Sequence, residues 1–332
     1  MRSPLLYIHN FFAPQRPAGA FGLIVQKEVG DHIRSWRFIV MLLVILFTFA
    51  GTLYASLTNL GKSVGNLNDP DHVYLYLKLL TTSDGALPTF HIFLSFLGPL
   101  LGIALGFDAI NSEKNNGTLV RLLAQPVYRD NLLLAKFYAA LLLVGTLFLS
   151  LVLLMIGAGL LLTGVPMEAS EFFRILAFTL LSVIYVGCWL SLSIGLSVVF
   201  RHAATSAITA IGIWLFFTIF YQIIINVAAS ALLPDPGSLA EEQAIAYNNL
   251  FMSFLRIAPS QLYTDAATTL LMPSIRSLGP LSMEQMAGAI PSPLPLKESL
   301  MIVWPQVTGL LAVTTLCFAG SYYFFMRREI RT

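Results

Sequence analysis

The sequence predicts an all-α integral membrane protein with six transmembrane helices. Of its 332 residues, 57% are hydrophobic and only 11% are charged, whereas soluble domains carry about 25% charged residues. Six apolar stretches are each long enough to cross a hydrocarbon core of about 30 Å, which takes about 20 helical residues. Spans this apolar predict α-helices, because lipid cannot satisfy exposed backbone groups and the sequence lacks the alternating segments of about ten residues that a β-barrel would show. The stretches are 38–57, 90–110, 132–162, 175–200, 203–233 and 299–326.

The six stretches divide the chain into segments with different expected roles. An N-terminal segment precedes the first span, a polar loop separates the second span from the third, and a long insertion precedes the sixth. The predicted segments are 1–37 (cytoplasmic N-terminus), 38–233 (spans one to five, with the polar loop at 108–131), 234–298 (extracellular helical insertion), 299–326 (sixth span) and 327–332 (cytoplasmic tail).

The distribution of basic residues predicts the orientation of the chain. If the N-terminus is cytoplasmic, the cytoplasmic segments hold 13 of the 19 lysines and arginines. Cytoplasmic loops of membrane proteins carry such an excess, so we expect both termini in the cytoplasm and the protein in the cell membrane. Residues 1–35 contain no apolar core typical of a cleavable signal peptide. The basic residues lie at membrane edges and form no patch suited to nucleic acid.

The segment before the first span has the pattern of an amphipathic helix. Between residues 21 and 37, apolar residues alternate with charged ones such as Lys27, Glu28 and Arg34. This pattern favours an elbow helix that lies on the membrane surface and turns into the bilayer at Trp36. The alternative is an ordinary basic flank with an interfacial tryptophan, and Gly30 lowers the helix propensity of the segment.

Small residues recur at four-residue spacing in two of the predicted spans. In a membrane helix this spacing forms a face that lets another helix approach closely. The sequence leaves open whether each face packs within one chain or between two chains. The two sets are Gly98, Gly102 and Gly106 in the second span, and Gly187, Ser191 and Gly195 in the fourth.

The insertion at 234–298 contains three short helix candidates. These are 238–256, then 260–271 with Ser260 placed to cap it, and 282–289 with a capping box made by Ser282 and Gln285. Proline clusters bound the region on both sides. We therefore expect a small helical cap on the extracellular side, continuous with the membrane domain.

Several chemistries can be set aside. The five histidines are scattered, and Cys188 and Cys317 both fall inside predicted spans, so we expect no metal site and no disulfide. Residues 61–63 resemble the end of a phosphate-binding loop, but Ser56 stands where the first glycine would be and no strand precedes it. We therefore expect this chain to bind no cofactor and to have no enzymatic activity of its own.

Charge is nearly absent from the predicted span interiors. Asp108 lies near one end of the second span, and Lys136 lies near the start of the third. Proton or sodium relays need ionisable groups within the membrane. The pattern instead favours transport that is driven from outside the membrane, and it favours a hydrophobic or amphiphilic substrate.

The loop between the second and third spans carries the most informative motif. It combines an acidic residue, Gly-Thr, a leucine-rich stretch, a proline, an arginine and a later Lys-Phe. This pattern and the span layout resemble permease subunits of ABC-2-type transporters, in the branch that includes nitrous-oxide-reductase maturation permeases and multidrug or ion exporter permeases. The matching residues are Glu113, Gly117, Thr118, 119–123, Pro126, Arg129, Lys136 and Phe137.

This resemblance implies a mechanism. The chain would pair with a second permease chain, as a homodimer or heterodimer, and each would dock a separate cytoplasmic ATPase subunit that binds ATP and Mg²⁺. A coupling helix in the loop would transmit closure of the ATPase to the spans. The residues expected to contact the ATPase are Glu113, Gly117, Thr118, Arg121, Leu122, Pro126 and Arg129. On the residues alone, Gly117 would allow a tight turn capped by Thr118, or the charges would form only a solvated loop.

Two other classes of protein compete with this interpretation. A self-sufficient secondary transporter or channel would need repeats or broken helices with charged residues at the membrane midplane. An integral-membrane enzyme would need titratable groups that converge near a membrane face. The sequence shows no such repeats or broken helices. Four titratable residues, Asp108, Glu113, His202 and Lys136, are placed to converge at the cytoplasmic face, but no known spacing supports an enzyme.

Overall fold

The computed structural model describes residues 20–63, 74–82, 88–119, 129–232, 250–273 and 294–327. Within these ranges the chain is helical and contains no strand, and six helices are long and apolar enough to cross a membrane. The predicted all-α class with six spans is therefore confirmed. Three predicted coupling residues, Arg121, Leu122 and Pro126, lie outside the described residues, as do most of the predicted helix at 238–256 and all of that at 282–289.

The helices are labelled in chain order: α1 (Ala20–Arg34), α2 (Trp36–Ser63), α3 (Leu75–Thr81), α4 (Phe90–Gly106), α5 (Asn111–Asn115), α6 (Arg129–Thr163), α7 (Ala169–Val199), α8 (Ala203–Leu215), α9 (Tyr221–Leu232), α10 (Pro259–Leu271) and α11 (Leu296–Arg327). A π-helical turn, Phe216–Phe220, joins α8 to α9, and together they form the fifth span. The other spans are α2, α4, α6, α7 and α11.

Two faces of the molecule are named by what connects the spans there. The loop face is where α2 begins, and it carries the loop between α4 and α6. The insertion face is the opposite one, and it carries the segment between α9 and α11. At the loop face, Ser35 separates α1 from α2, and its hydroxyl accepts the Phe38 N–H at 3.3 Å. A serine in this position satisfies a free donor at the helix start, so the chain turns there. The position of α1 along the membrane surface stays a prediction.

The fourth span starts earlier than its apolar stretch predicted. Helix α7 begins at Ala169 rather than at residue 175, because Glu168 and Glu171 form a reciprocal capping box. The extension brings Arg174 into the helix, where its side chain is fully buried. The Arg174 guanidinium donates to the Leu270 carbonyl at 3.2 Å. It therefore ties the fourth span to α10 at the insertion face.

Helix α7 is the centre of the bundle. In its most apolar stretch 67% of the residues are buried, compared with 11% for the fifth span and 17% for the sixth. It packs against α4, α6, α8, α10 and α11. A movement of α7 would therefore reach most of the membrane domain.

Glycines bring α4 and α7 into close contact. A Cβ atom on Gly102 would lie 2.7 Å from the Val186 carbonyl oxygen, and one on Gly106 would lie 3.0 Å from the Leu190 oxygen. Side chains at these two positions would force the backbones apart. Gly98 lies one turn before Gly102, and a Cβ atom there would lie 3.4 Å from the Tyr185 ring.

The small residues of α7 face two other spans. A Cβ atom on Gly187 would lie 3.1 Å from a Leu141 methyl of α6, and one on Gly195 would lie 2.5 Å from the Ser321 hydroxyl of α11. That hydroxyl also donates to the Ser191 carbonyl at 3.0 Å. All these contacts lie within one chain.

The described part of the insertion packs between the spans. Ten of the thirteen residues of α10 are buried, and the Tyr263 ring stacks on Tyr185 of α7 at 4.3 Å. The N-cap of α10 is Ala258, with Pro259 in the first turn. Ser260 is therefore not the cap that the sequence predicted, because proline takes the first helical position and moves the start of the helix ahead of the serine.

Candidate functional site at the loop face

A buried lysine joins three helices at the loop face. The side chain of Lys136, two turns into α6, is only 5% exposed. Its Nζ atom lies 2.9 Å from Glu28 Oε2 of α1 and 2.8 Å from Glu113 Oε1 of α5. One ammonium group thus holds the helix before the first span and the loop after the second span against the third span.

A second lysine closes this arrangement into a ring. Lys27 Nζ lies 3.0 Å from Glu28 Oε1 and 3.6 Å from Glu113 Oε1. Two cations and two carboxylates therefore alternate, and we call Lys27, Glu28, Lys136 and Glu113 the ion-pair ring. Lys27 also pairs with Asp31 one turn along α1, at 3.2 Å.

The charges of the ring stabilise one another. Burial alone would raise the pKa of Glu28, but the ammonium groups of Lys136 and Lys27 hold it below its ordinary value. Burial alone would lower the pKa of Lys27, but Glu28, Glu113 and Asp31 together raise it above its ordinary value. Removing one member of a buried ion pair typically costs about 3–5 kcal/mol, because the other charge stays buried without compensation. Loss of Lys136 or Glu28, whose side chains are both buried, would therefore leave the other charge buried without its partner.

A second ion pair links the first span to the same loop. The Arg37 guanidinium, in the first turn of α2, pairs with the Asp108 carboxylate just after α4. It also lies 4.7 Å from the centre of the Phe107 ring. The beginning of the loop is thus attached to the first span as well as to the third.

Helix α5 is fixed to the end of the fourth span by hydrogen bonds. The Ser197 hydroxyl of α7 accepts the N–H groups of Ile110 at 3.0 Å and Asn111 at 3.2 Å. At the other end of α5, Asn115 Nδ2 donates to the Arg201 carbonyl at 3.0 Å. Ion pairs on one side and hydrogen bonds on the other therefore hold α5 between α6 and α7.

The chain turns sharply after α5. Gly117 has φ +67°, in the left-handed region that glycine adopts without steric cost. The Thr118 hydroxyl donates to the Glu113 carbonyl at 3.1 Å. This hydrogen bond supplies a donor to a carbonyl at the C-terminal end of α5. Leu119 then turns inward and is 2% exposed.

The ring lines an open cleft of about 660 Å³ at the loop face. The cleft lies between α1, the start of α2, the end of α4 and the start of α6. Burial lowers the pKa of His32 in its wall, so this imidazole is neutral at pH 7. Among the described residues, no three histidine, cysteine or acidic side chains are grouped to hold a metal ion. The ring and the cleft thus join α1, α5 and α6 at the loop face.

The predicted elbow residues occupy different positions around the site. Lys27 and Glu28 belong to the ring, whereas Arg34 is exposed at the end of α1. Trp36 is 75% exposed at the start of α2, which is typical of a tryptophan at a membrane interface.

The predicted coupling residues are brought together only in part. Glu113 belongs to the ring, Gly117 and Thr118 form the turn, and Arg129 is exposed at the start of α6. The sequence did not identify Ser197 as a contact of the loop. A serine in an apolar helix gives no signal that distinguishes it from its neighbours.

Comparison with known proteins gives the chain a family. It is 29% identical to the probable ABC transporter permease protein NosY of Pseudomonas aeruginosa over 205 residues, which cover 60% of this chain and 67% of that protein. It is 25% identical to the protein of the same name from Stutzerimonas stutzeri over 293 residues, which cover 87% and 95%. The family model described as ABC-2 family transporter protein matches residues 23–330. The chain therefore belongs to the ABC-2 family, whose members are membrane components of ABC transporters.

Proposed function

We propose that this chain is the permease subunit of an ATP-driven exporter, and that it moves a hydrophobic or amphiphilic substrate across the cell membrane. Family membership supports a transport role, as do the names of both relatives. The observation that carries the proposal is the ion-pair ring. It joins the loop that would meet an ATPase directly to the spans that would have to move.

The proposed path of movement starts in the loop. The exposed surface around the turn at Gly117, together with Arg129, would contact the ATPase. A displacement of α5 would pull on α6 through Lys136 and on α7 through Ser197, because these are its described attachments. Since α7 is the central helix, the displacement would spread to most of the bundle.

The proposal requires partner chains. A separate cytoplasmic subunit would bind ATP and Mg²⁺, and a second permease chain would complete the transporter as a homodimer or heterodimer. The distribution of lysine and arginine supports cytoplasmic termini, which puts the loop face in the cytoplasm where an ATPase can reach it.

Co-purification tests the proposal directly. The tagged chain is expressed together with the ATPase encoded nearest to its own gene, extracted, and reconstituted in lipid nanodiscs. We expect an ATPase subunit to co-purify, and we expect Arg121→Ala with Arg129→Ala to weaken that association.

The control is Lys297→Gln, which removes an exposed cation at the insertion face and should leave the association unchanged. A well-folded chain that purifies alone, and that neither binds nor stimulates an ATPase, would contradict the proposal. That result would favour the two alternatives, a self-sufficient transporter or channel and an integral-membrane enzyme.

A further inference from the structure

Helix α10 begins deep inside the bundle. The Tyr263 hydroxyl lies 3.0 Å from the Ser182 hydroxyl, and Ser182 is the fourteenth residue of the 31-residue helix α7. A Leu262 methyl lies within 3.3 Å of the Cβ position of Gly309, which is the fourteenth residue of the 32-residue helix α11. At 1.5 Å per residue, both contacts lie about 20 Å from the insertion-face ends of these helices.

The residues before α10 also lie at this depth. The Tyr221 hydroxyl, at the start of α9, donates to the Phe254 carbonyl at 2.7 Å. Tyr221 precedes the insertion-face end of α9 by about 16 Å at the helical rise. Residues 250–258 therefore enter the membrane domain from the insertion face, and α10 leaves through the same face. Such a re-entrant hairpin is tolerated only where it is buried in protein or lines a water-filled cavity.

An arginine lies at the bend of this hairpin. Arg256 Nε lies 3.3 Å from Asp265 Oδ2, and Gln261 Nε2 donates to Asp265 Oδ1 at 2.7 Å. The Asp265 side chain is 3% exposed, whereas that of Arg256 is 31% exposed. In the part of the chain that the structure describes, the two Nη groups of Arg256 have no acceptor. Asp265 thus orients the guanidinium, and the Arg256 side chain stays partly exposed.

A guanidinium held among transmembrane helices is costly to leave facing lipid. Intramembrane arginines therefore face a polar cavity or a binding partner. The two Nη groups, which have no acceptor among the described residues, form a planar pair of donors that matches carboxylate or phosphate oxygens. Beside it, Phe254 is 54% exposed and Ile257 is 57% exposed. The site thus combines an oriented cation with apolar flanks.

We propose that Arg256 binds the anionic headgroup of an amphiphilic substrate, while Phe254 and Ile257 contact its apolar chain. Asp265 and Gln261 are positioning residues that hold the guanidinium in place. The inference rests on the proposed function for the role of the ligand as substrate. It narrows the substrate class from hydrophobic or amphiphilic molecules to amphiphilic anions.

The test is equilibrium binding of dodecyl phosphate to the purified chain in phosphatidylcholine nanodiscs, without any ATPase. We expect Arg256→Gln to weaken binding about tenfold, equivalent to about 1.4 kcal/mol. Arg256→Lys should cause a smaller loss of affinity, because lysine keeps the positive charge but lacks the planar pair of N–H donors. Lys297→Gln, which removes an exposed cation at the same face, should bind as the wild type does.

Companion probes identify what is recognised. Dodecyl maltoside and dodecyltrimethylammonium should bind the wild type no better than they bind Arg256→Gln, and inorganic phosphate should not displace dodecyl phosphate at equal concentration. Thermal unfolding and the elution profile check that each variant is folded. If Arg256→Gln does not fold, Arg256→Lys and Phe254→Ala provide the comparison.

Equal affinity of wild type and folded Arg256 variants for dodecyl phosphate would overturn the inference. So would displacement of dodecyl phosphate by inorganic phosphate, or equal binding of the three amphiphiles. Because the assay contains no ATPase, its result is independent of the proposed function. If dodecyl phosphate binding depends on Arg256 but no ATPase associates with the chain, the proposed function fails and the binding site stands.

Discussion

At the scale of single residues, the loop face depends on one buried charge. Lys136 lies in an apolar helix and is nearly inaccessible to solvent, yet two carboxylates lie within 3 Å of its ammonium group. A buried charge is tolerated when its partners are close enough to offset the lost hydration. The same side chain therefore stabilises the fold and fixes the relative positions of α1, α5 and α6.

The pKa of Glu28 predicts how stability depends on pH. Because this pKa is lower in the folded chain than the ordinary value of 4.5, the contribution of Glu28 is fully present above about pH 4.5. It is lost as the pH falls through the folded-state pKa. We expect the difference in melting temperature between wild type and Glu28→Gln in nanodiscs to be constant from pH 6 to 7.5 and to shrink below pH 4.5. A difference that grows on acidification would contradict this.

The contact at Gly102 predicts a strong effect of adding one methyl group. In Gly102→Ala the new Cβ would lie 2.7 Å from a backbone oxygen of α7, so α4 and α7 would have to separate. We expect a destabilisation of about 1–3 kcal/mol, measured by thermal or denaturant unfolding in lipid. Gly212→Ala is the matched control, because no atom lies within 4 Å of that position. Equal stability of the two variants would show that the helices separate without cost.

At the scale of elements, α5 is stabilised by its attachments. It has five residues, and isolated helices shorter than about 12 residues are marginal in water. Its position depends on Ser197 and Arg201 from the fourth span and on the ion-pair ring from the third. The position of α5 therefore depends on the third and fourth spans, and a change in the position of α5 would act on both.

Ser197→Ala should loosen α5. The substitution leaves the buried N–H groups of Ile110 and Asn111 without their acceptor, at a cost of about 1–3 kcal/mol. We expect faster amide hydrogen exchange at these two positions, with exchange in the middle of α7 unchanged. Ser150→Ala is the control, since the hydrogen bond described for that hydroxyl stays within its own helix, to the Leu147 carbonyl. If exchange at residues 110 and 111 is the same in both variants, Ser197 does not hold the loop.

At the scale of the whole molecule, the central position of α7 connects the two faces. Its end at the loop face holds α5 through Ser197, and its end at the insertion face holds α10 through Arg174. Between them, Tyr185 stacks on Tyr263 of the re-entrant hairpin. A displacement at the loop face thus has a packed route to the site proposed at Arg256.

The sequence could predict the six spans because length and apolarity are local properties. It could not predict the early start of α7, because the capping pair of Glu168 and Glu171 lies outside the apolar stretch. It singled out Glu28 and Glu113 for separate reasons. Their meeting at Lys136 joins residues 108 and 23 positions apart in the chain, and spacing along the sequence does not encode such a contact.

The sequence did not predict the re-entrant hairpin, for a related reason. Its sequence is more polar than the spans and is bounded by prolines, so it resembles an external segment. Only packing of α10 against α7 and α11 brings Arg256 and Asp265 in among the spans. The prediction that charge is nearly absent from the span interiors was based on the six spans alone. It did not include the charged residues of this hairpin.

The central claim is that the ion-pair ring transmits movement from the ATPase to the spans. The most direct measurement is the stimulation of the ATPase subunit by the permease in nanodiscs, for wild type, Glu28→Gln, Lys136→Met and the double variant, with Asp31→Asn as the control. We expect both single variants to lose stimulation, by about fivefold or more for Lys136→Met. The double variant should be no worse than Lys136→Met alone, because both changes break one linkage. Full stimulation by a folded, ATPase-bound Lys136→Met chain would contradict the account.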